Sequence, residues 1–203
     1  YDALKNDILP QLRRAQLINS SDITGKTDDE MAQLVRAGQF SDLDDKELLH
    51  IASTNKLNAN EKIAALEAAV NKSKSAAAYN NLGVAYAAAG ETDKAANAFS
   101  QALKADNASQ INNNLALVNL MKGDTASAKK YVGGASKEAK ALAAAAEGNY
   151  AQAQSQLDGY NAAIAATMNA DYTAAKQAIA QDKSAQADYL RAIIATKQGD
   201  FNT

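Results

Sequence analysis

Residues 79–103 read YNNLGVAYAAAGETDKAANAFSQAL, and this stretch decides the fold. Its first half places apolar and small side chains at the spacing of one helix face: Tyr79, Leu82, Gly83 and Tyr86. Gly90 is expected to end this helix, because glycine takes the left-handed conformation without steric cost. Thr92 or Asp93 can cap a second helix, whose own stripe is Ala95, Phe99 and Ala102. The stretch predicts a helix–turn–helix pair in which small residues let the two backbones approach closely.

The same pattern recurs at a constant interval along the chain, which indicates a repeat protein. The shift that moves residues 80–83 onto residues 113–116 also moves Gly90 onto Gly123. Applied in the opposite direction, it moves Leu82 onto Leu49 and Phe99 onto Leu66. Three units in series at one period predict stacked helical hairpins.

Looser copies of the turn follow in the last third of the chain. Residues 147–153 and 169–175 each repeat the turn and the start of a second helix. Leu157 and Ile179 stand in the place of Phe99. These copies follow one another at shorter intervals than the earlier units, so some helices are expected to be shorter.

The motif residues of the deciding stretch resemble those of the tetratricopeptide repeat (TPR): Tyr79, Leu82, Gly83, Tyr86, Ala95, Phe99 and Ala102. Asn107 stands where the family's usual proline would be. The resemblance implies an all-α fold, an irregular solenoid of helical hairpins wound as a right-handed superhelix. We expect this solenoid to run over residues 45–203 and to be truncated at its C-terminal end, with residues 1–44 as a non-repeat segment.

The non-repeat segment contains its own helix signals. Thr27 is expected to cap a helix that opens with residues 28–30 and ends near Gly38, because acidic side chains suit the start of a helix. A second acidic run at residues 42–47 marks another helix start. An earlier short helix is expected near Pro10.

Composition argues against catalysis and against nucleic-acid binding. The net charge is −2, which excludes the strongly basic surface that phosphate backbones require. The chain has no cysteine and a single histidine, His50, which we interpret as a packing residue. No nucleophile, base and orienting group are arranged together in the pattern. We therefore predict no catalytic, cofactor-binding or metal-binding residues and no enzymatic activity.

Four asparagines form the candidate site of the sequence: Asn80, Asn81, Asn113 and Asn114. They occupy equivalent positions one repeat apart, and in the TPR family the position of Asn80 points into the concave groove. Ala77, Val84 and Ala87 stand at further groove positions. Because an amide both donates and accepts, such a ladder could pair with the backbone of an extended peptide. The alternative is that these amides bond neighbouring helix ends or water.

A second resemblance covers more of the chain. Segments such as residues 9–15, 25–30, 47–52 and 80–83 are similar to Bacteroidetes-type cell-envelope proteins in which an OmpA-like module precedes TPR units. This resemblance implies a periplasmic or outer-membrane-associated parent protein, with residues 1–44 at the edge of the preceding module. We expect a non-enzymatic scaffold that binds a protein or peptide partner, with no transmembrane segment in this chain. The alternative is a structural spacer that positions an adjacent peptidoglycan-binding module.

Overall fold

The computed structural model describes residues 25–106 and 108–200. These residues form twelve α-helices and two short 3-10 helices, and they contain no β-strand. The predicted all-α fold of packed helical hairpins is therefore confirmed. The chain divides into two compact units, unit 1 over Tyr1–Gly134 and unit 2 over Ala135–Thr203. The helix expected near Pro10 and the residues after Asp200 lie outside the described part.

Unit 1 contains seven of the described α-helices. Their bounds are α1 Asp28–Arg36, α2 Asp45–Ser53, α3 Ala59–Ser73, α4 Ala76–Ala88, α5 Thr92–Ala105, α6 Ser109–Met121 and α7 Thr125–Lys129. The two 3-10 helices are Phe40–Asp42 and Val132–Gly134. Helices α2 and α3, α4 and α5, and α6 and α7 pack as successive pairs, and each pair also packs on the next. The predicted boundary at residue 44 falls within unit 1, where α1 packs on α2 and α3; the assignment of residues 1–44 to a preceding module stays a prediction.

The repeat period of the sequence is preserved in the structure of unit 1. The second helices of the three pairs begin at Ala59, Thr92 and Thr125, which are equally spaced along the chain. The turns of the second and third pairs contain Gly90 and Gly123, whose φ angles are +81° and +75°. The expectation that Thr92 or Asp93 caps the second helix is wrong, because α5 already begins at Thr92. Its N-cap residue is Glu91, whose side chain makes no capping hydrogen bond.

The crossing of α4 and α5 depends on Gly83. A Cβ atom at this position would lie 2.6 Å from both Cδ1 and Cε1 of Phe99. Phe99 is completely buried, so its ring cannot swing into solvent. Ala95 and Ala102 of α5 are also completely buried. The predicted close approach of the two helices at small residues is thus what the structure shows.

Two residues of α4 were expected in an open groove and are not there. Val84 is 4% exposed and Ala87 only 1% exposed. Helix α4 is covered by α3, α5 and α6, since all three pack against it. Most of its residues are therefore core residues, and the expectation of an accessible groove at these two positions is wrong.

Replacing Gly83 tests this crossing. We expect Gly83→Leu to lower the free energy of unfolding by about 1–3 kcal/mol, because the new side chain overpacks against Phe99. Ala88→Leu, on the exposed end of the same helix, is the matched control and should shift the urea midpoint little. Equal shifts for the two variants would contradict the packing described here.

Three consecutive capping boxes fix the N-terminal helices of unit 1. Thr27 with Glu30, Asp44 with Glu47, and Asn58 with Glu61 each pair a capping side chain with the glutamate that follows one turn later. The predicted cap at Thr27 and the predicted helix start at residues 42–47 are confirmed.

Two of these capping glutamates also hold α1 in place. The carboxylate of Glu47 accepts from the backbone N–H of Asp44 at 2.9 Å and from Lys26 Nζ at 3.0 Å. The carboxylate of Glu61 accepts from its own capping residue and from Arg36 Nε at 3.2 Å. Each of these two carboxylates thus accepts a capping hydrogen bond and also binds a cationic side chain, which belongs to α1 or to the residues just before it.

Unit 2 contains the remaining five described helices. Their bounds are α8 Lys137–Ala146, α9 Tyr150–Gln156, α10 Gly159–Met168, α11 Tyr172–Ala178 and α12 Ala185–Gln198. One constant shift moves every helix start and end of the hairpin α8–α9 onto those of the hairpin α10–α11. Their second helices have only 7 residues each, so the predicted shortening is confirmed. Leu157 and Ile179 are buried, as expected for residues in the place of Phe99, but each follows its helix as the C-cap.

The same shift places Gly148 and Ala170 at equivalent turn positions. Their φ angles are +82° and +59°, so an alanine occupies a left-handed conformation that a glycine adopts in the preceding hairpin. A non-glycine residue in this conformation is strained by about 1–2 kcal/mol.

Substitutions at these two turn positions are expected to change the free energy of unfolding in opposite directions. Ala170→Gly should raise the free energy of unfolding by roughly 0.5–1 kcal/mol, because the relief of strain exceeds the added freedom of the unfolded chain. Gly148→Ala should lower it by a similar amount. Urea unfolding followed by circular dichroism measures both, and changes of the same sign would contradict the equivalence of the two turns.

Candidate functional site

The four asparagines of the predicted site do not share one surface. Asn80 and Asn114 are completely buried, Asn81 is 6% exposed, and Asn113 is half-buried. Nδ2 of Asn114 donates to Oδ1 of Asn80 at 2.9 Å, which links α4 directly to α6. In the described chain these two amides therefore connect neighbouring helices through their side chains, whereas the alternative interpretation named helix ends or water as their partners. Peptide binding at the four asparagines stays a prediction.

This hydrogen bond joins Asn80 to Asn114. The residue that lies one repeat after Asn80 is Asn113. Two buried oxygens nearby, Oδ1 of Asn81 and Oδ1 of Asn114, have no hydrogen-bond partner among the described residues. A buried polar atom without a partner costs stability, so these two oxygens offset part of the stabilisation by the amide bond.

The buried amide pair makes a quantitative prediction. Asn80→Ala and Asn114→Ala should each lower the free energy of unfolding by about 1–3 kcal/mol, since each removes one partner of a buried hydrogen bond. The double variant should cost less than the sum of the two, because both single variants lose this same bond. Asn71→Ala, at an exposed position of α3, is the control. Additive effects in the urea midpoints would show that the pair is not coupled.

An open pocket lies between α4 and α5, away from the asparagine pair. Its volume is about 420 Å³, within the range of ligand pockets. The lining residues come from both helices: Tyr79, Leu82, Tyr86, Asp93, Lys94, Asn97, Ala98 and Gln101. Sequence reasoning missed this pocket because it assigned the two tyrosines to packing. The sequence feature that could have indicated the pocket is the pair of amides one turn apart on α5, Asn97 and Gln101.

Tyr86 is fixed at the base of this pocket. It is 8% exposed, and its hydroxyl donates to the carboxylate of Glu67 on α3. Lys94 Nζ lies 5.2 Å from the centroid of the tyrosine ring, a cation–π contact. Burial, followed by the hydrogen bond to Glu67, raises the pKa of Tyr86 to about 12. The side chain is therefore a neutral, oriented phenol at neutral pH.

Charges at the rim of the pocket are paired within the chain. Lys94 Nζ lies 2.5 Å from Glu91 Oε2, and Asp93 Oδ1 lies 2.6 Å from Lys122 Nζ. These partners raise the pKa of both lysines, with the hydrogen bond to the carboxylate as the largest cause in each. Both pairs are largely exposed, so they contribute little to stability. They leave the rim without a net charge.

Two other charged side chains, His50 and Arg191, form contacts within the fold. His50 Nε2 lies 2.8 Å from Asp28 Oδ1 and joins α2 to α1. In unit 2 a pocket of about 510 Å³ borders Arg191, but two carbonyls, of Ile179 and Asp182, already accept from Nη2 of that guanidinium.

Within residues 25–106 and 108–200, no three His, Asp or Glu side chains lie close enough together to hold a metal ion. None of the described helices has the length and apolarity needed to span a bilayer.

Comparison with known proteins agrees with the hairpin geometry. Residues 76–109 match the sequence model of the family described as Tetratricopeptide repeat. These residues comprise α4, α5 and the segment that leads into α6. No curated protein matches the chain, and the resemblance to OmpA-type envelope proteins finds no support in these comparisons. The hairpin of α4 and α5 is thus similar to a tetratricopeptide repeat in sequence as well as in fold.

Proposed function

We propose that this chain is a non-enzymatic scaffold that binds a protein partner. The observation that carries the proposal is the hairpin of α4 and α5, which matches the tetratricopeptide repeat and stacks between two further pairs at a constant period. Stacked hairpins of this kind contact only their neighbours and create extended surfaces for protein binding.

The surface of this hairpin supports binding more than catalysis. Its pocket is lined by neutral aromatic and amide side chains, and the charged groups at the rim are paired. Such groups can exclude water from a ligand and hydrogen-bond to it. The Tyr86 hydroxyl does have a carboxylate beside it, Glu67, but burial and this bond raise its pKa to about 12 and keep it a neutral phenol.

The place of action is a further part of the proposal. We propose, from the sequence resemblance alone, that the parent protein is periplasmic or outer-membrane-associated and that an adjacent module of it binds peptidoglycan. Cell fractionation with an antibody against the chain tests this part. Recovery in the envelope fractions is expected, and recovery in the cytosol alone would overturn it.

Binding itself is tested by affinity capture with the full chain as bait. We expect at least one captured protein to bind the purified chain directly and saturably in isothermal titration calorimetry. Ala88→Leu should retain this binding, whereas Gly83→Leu, which disturbs the crossing under the matched hairpin, should weaken it. If no captured protein bound the purified chain, the spacer function would be the better account.

A further inference from the structure

The pocket between α4 and α5 presents two chemically distinct walls. Tyr79, Leu82 and Tyr86 of α4 provide an aromatic and aliphatic wall. Asn97 and Gln101 of α5 provide the amide wall. A ligand that fills the pocket must therefore combine an apolar group with hydrogen-bonding groups along one side.

The amide wall keeps most of its hydrogen-bonding capacity for a ligand. The Asn97 side chain is exposed and forms no hydrogen bond with the described residues. Oε1 of Gln101 accepts only a long bond, 3.4 Å, from Lys104 Nζ at the surface. Since each amide can both donate and accept, the two together can pair with N–H and C=O groups alike.

The spacing of the two amides fits an extended backbone. Asn97 and Gln101 lie one helical turn apart, so their Cβ atoms are separated by about 5–6 Å. Alternate residues of an extended chain are about 6.6–6.8 Å apart and point their backbone N–H and C=O groups to the same side. A helical partner would leave both amides unpaired, because its backbone groups bond within the helix.

The electrostatics of the rim favour an uncharged ligand. Both rim charges have partners, Lys94 with Glu91 and Asp93 with Lys122. A charged ligand group would have to break one of these pairs or enter without a partner. The pocket therefore offers no net attraction to either sign of charge.

The apolar wall is formed before any ligand arrives. The hydroxyl of Tyr86 is held by Glu67 and its ring by Lys94. Behind this wall, Phe99 packs against Gly83 in the hairpin core. A site that is already ordered loses little conformational freedom on binding, which favours affinity.

We propose that this pocket binds an extended, uncharged peptide segment of the partner. An aromatic or branched aliphatic side chain of the peptide packs on Tyr79, Leu82 and Tyr86, while Asn97 and Gln101 pair with the backbone on either side of it. This proposal rests on the scaffold function and names the surface of the chain that performs it.

The test uses a phage-displayed library of short random peptides, selected against the full chain. Enriched peptides should share one aromatic or branched aliphatic residue between uncharged neighbours. The double variant Asn97→Ala with Gln101→Ala should weaken their binding about five- to hundredfold, because two hydrogen bonds are lost. Gln186→Ala, an exposed amide of α12, is the matched control and should bind as the parent chain does. Affinity should change less than about twofold when the salt concentration rises from about 0.05 M to 0.5 M.

Three results would overturn the assignment. One is that the library yields no binding peptide, and another is that the double variant binds the enriched peptides as tightly as the parent chain. The third is that NMR shifts at residues 79–101 respond to a peptidoglycan-type oligosaccharide and to no peptide. If the captured protein partner still bound the chain in any of these cases, the scaffold function would stand and only its location in this pocket would fail.

Discussion

Unit 1 depends on the space that Gly83 leaves for the ring of Phe99. A side chain at this position would collide with a ring that is completely buried. The glycine therefore allows α4 and α5 to pack closely, with alanines of α5 in the same interface. This crossing also sets the outer faces of the two helices, so the tyrosines of α4 and the amides of α5 border one pocket. A single packing constraint thus connects the repeat motif to the proposed binding surface.

The two units form similar hairpins with helices of different lengths. In unit 1 the best-formed pair has helices of 13 and 14 residues, whereas the second helices of the first two hairpins of unit 2 have 7. Of these two short helices, α9 packs on both α8 and α10. Unit 2 uses alanine at most of these contacts, with Leu157 and Ile179 as the larger buried residues that close the short helices.

The roles of residues that act within one helical hairpin could be predicted from the sequence. The roles of residues that act through contacts between hairpins were harder to predict. Thr27, Gly83 and Gly90 act through helix capping, close packing and a positive φ angle, which the pattern of neighbouring residues indicates. Asn80 looked like a groove residue because a buried asparagine and an exposed one give the same pattern in a single sequence. Only the packing of α6 on α4 brings Asn114 to it. The shift between the first two hairpins of unit 2 is already visible in the sequence, where residues 147–153 and 169–175 repeat the same turn.

Native-state hydrogen exchange tests this account most directly, because it reports local stability along the whole chain. If the close crossing of α4 and α5 stabilises the fold, amides in the middle of these two helices should exchange most slowly. Amides of the short helices α9 and α11 should exchange faster than those of α4 and α5, since a helix of only 7 residues opens more readily. Protection in α9 and α11 equal to that in α4 and α5 would contradict the account.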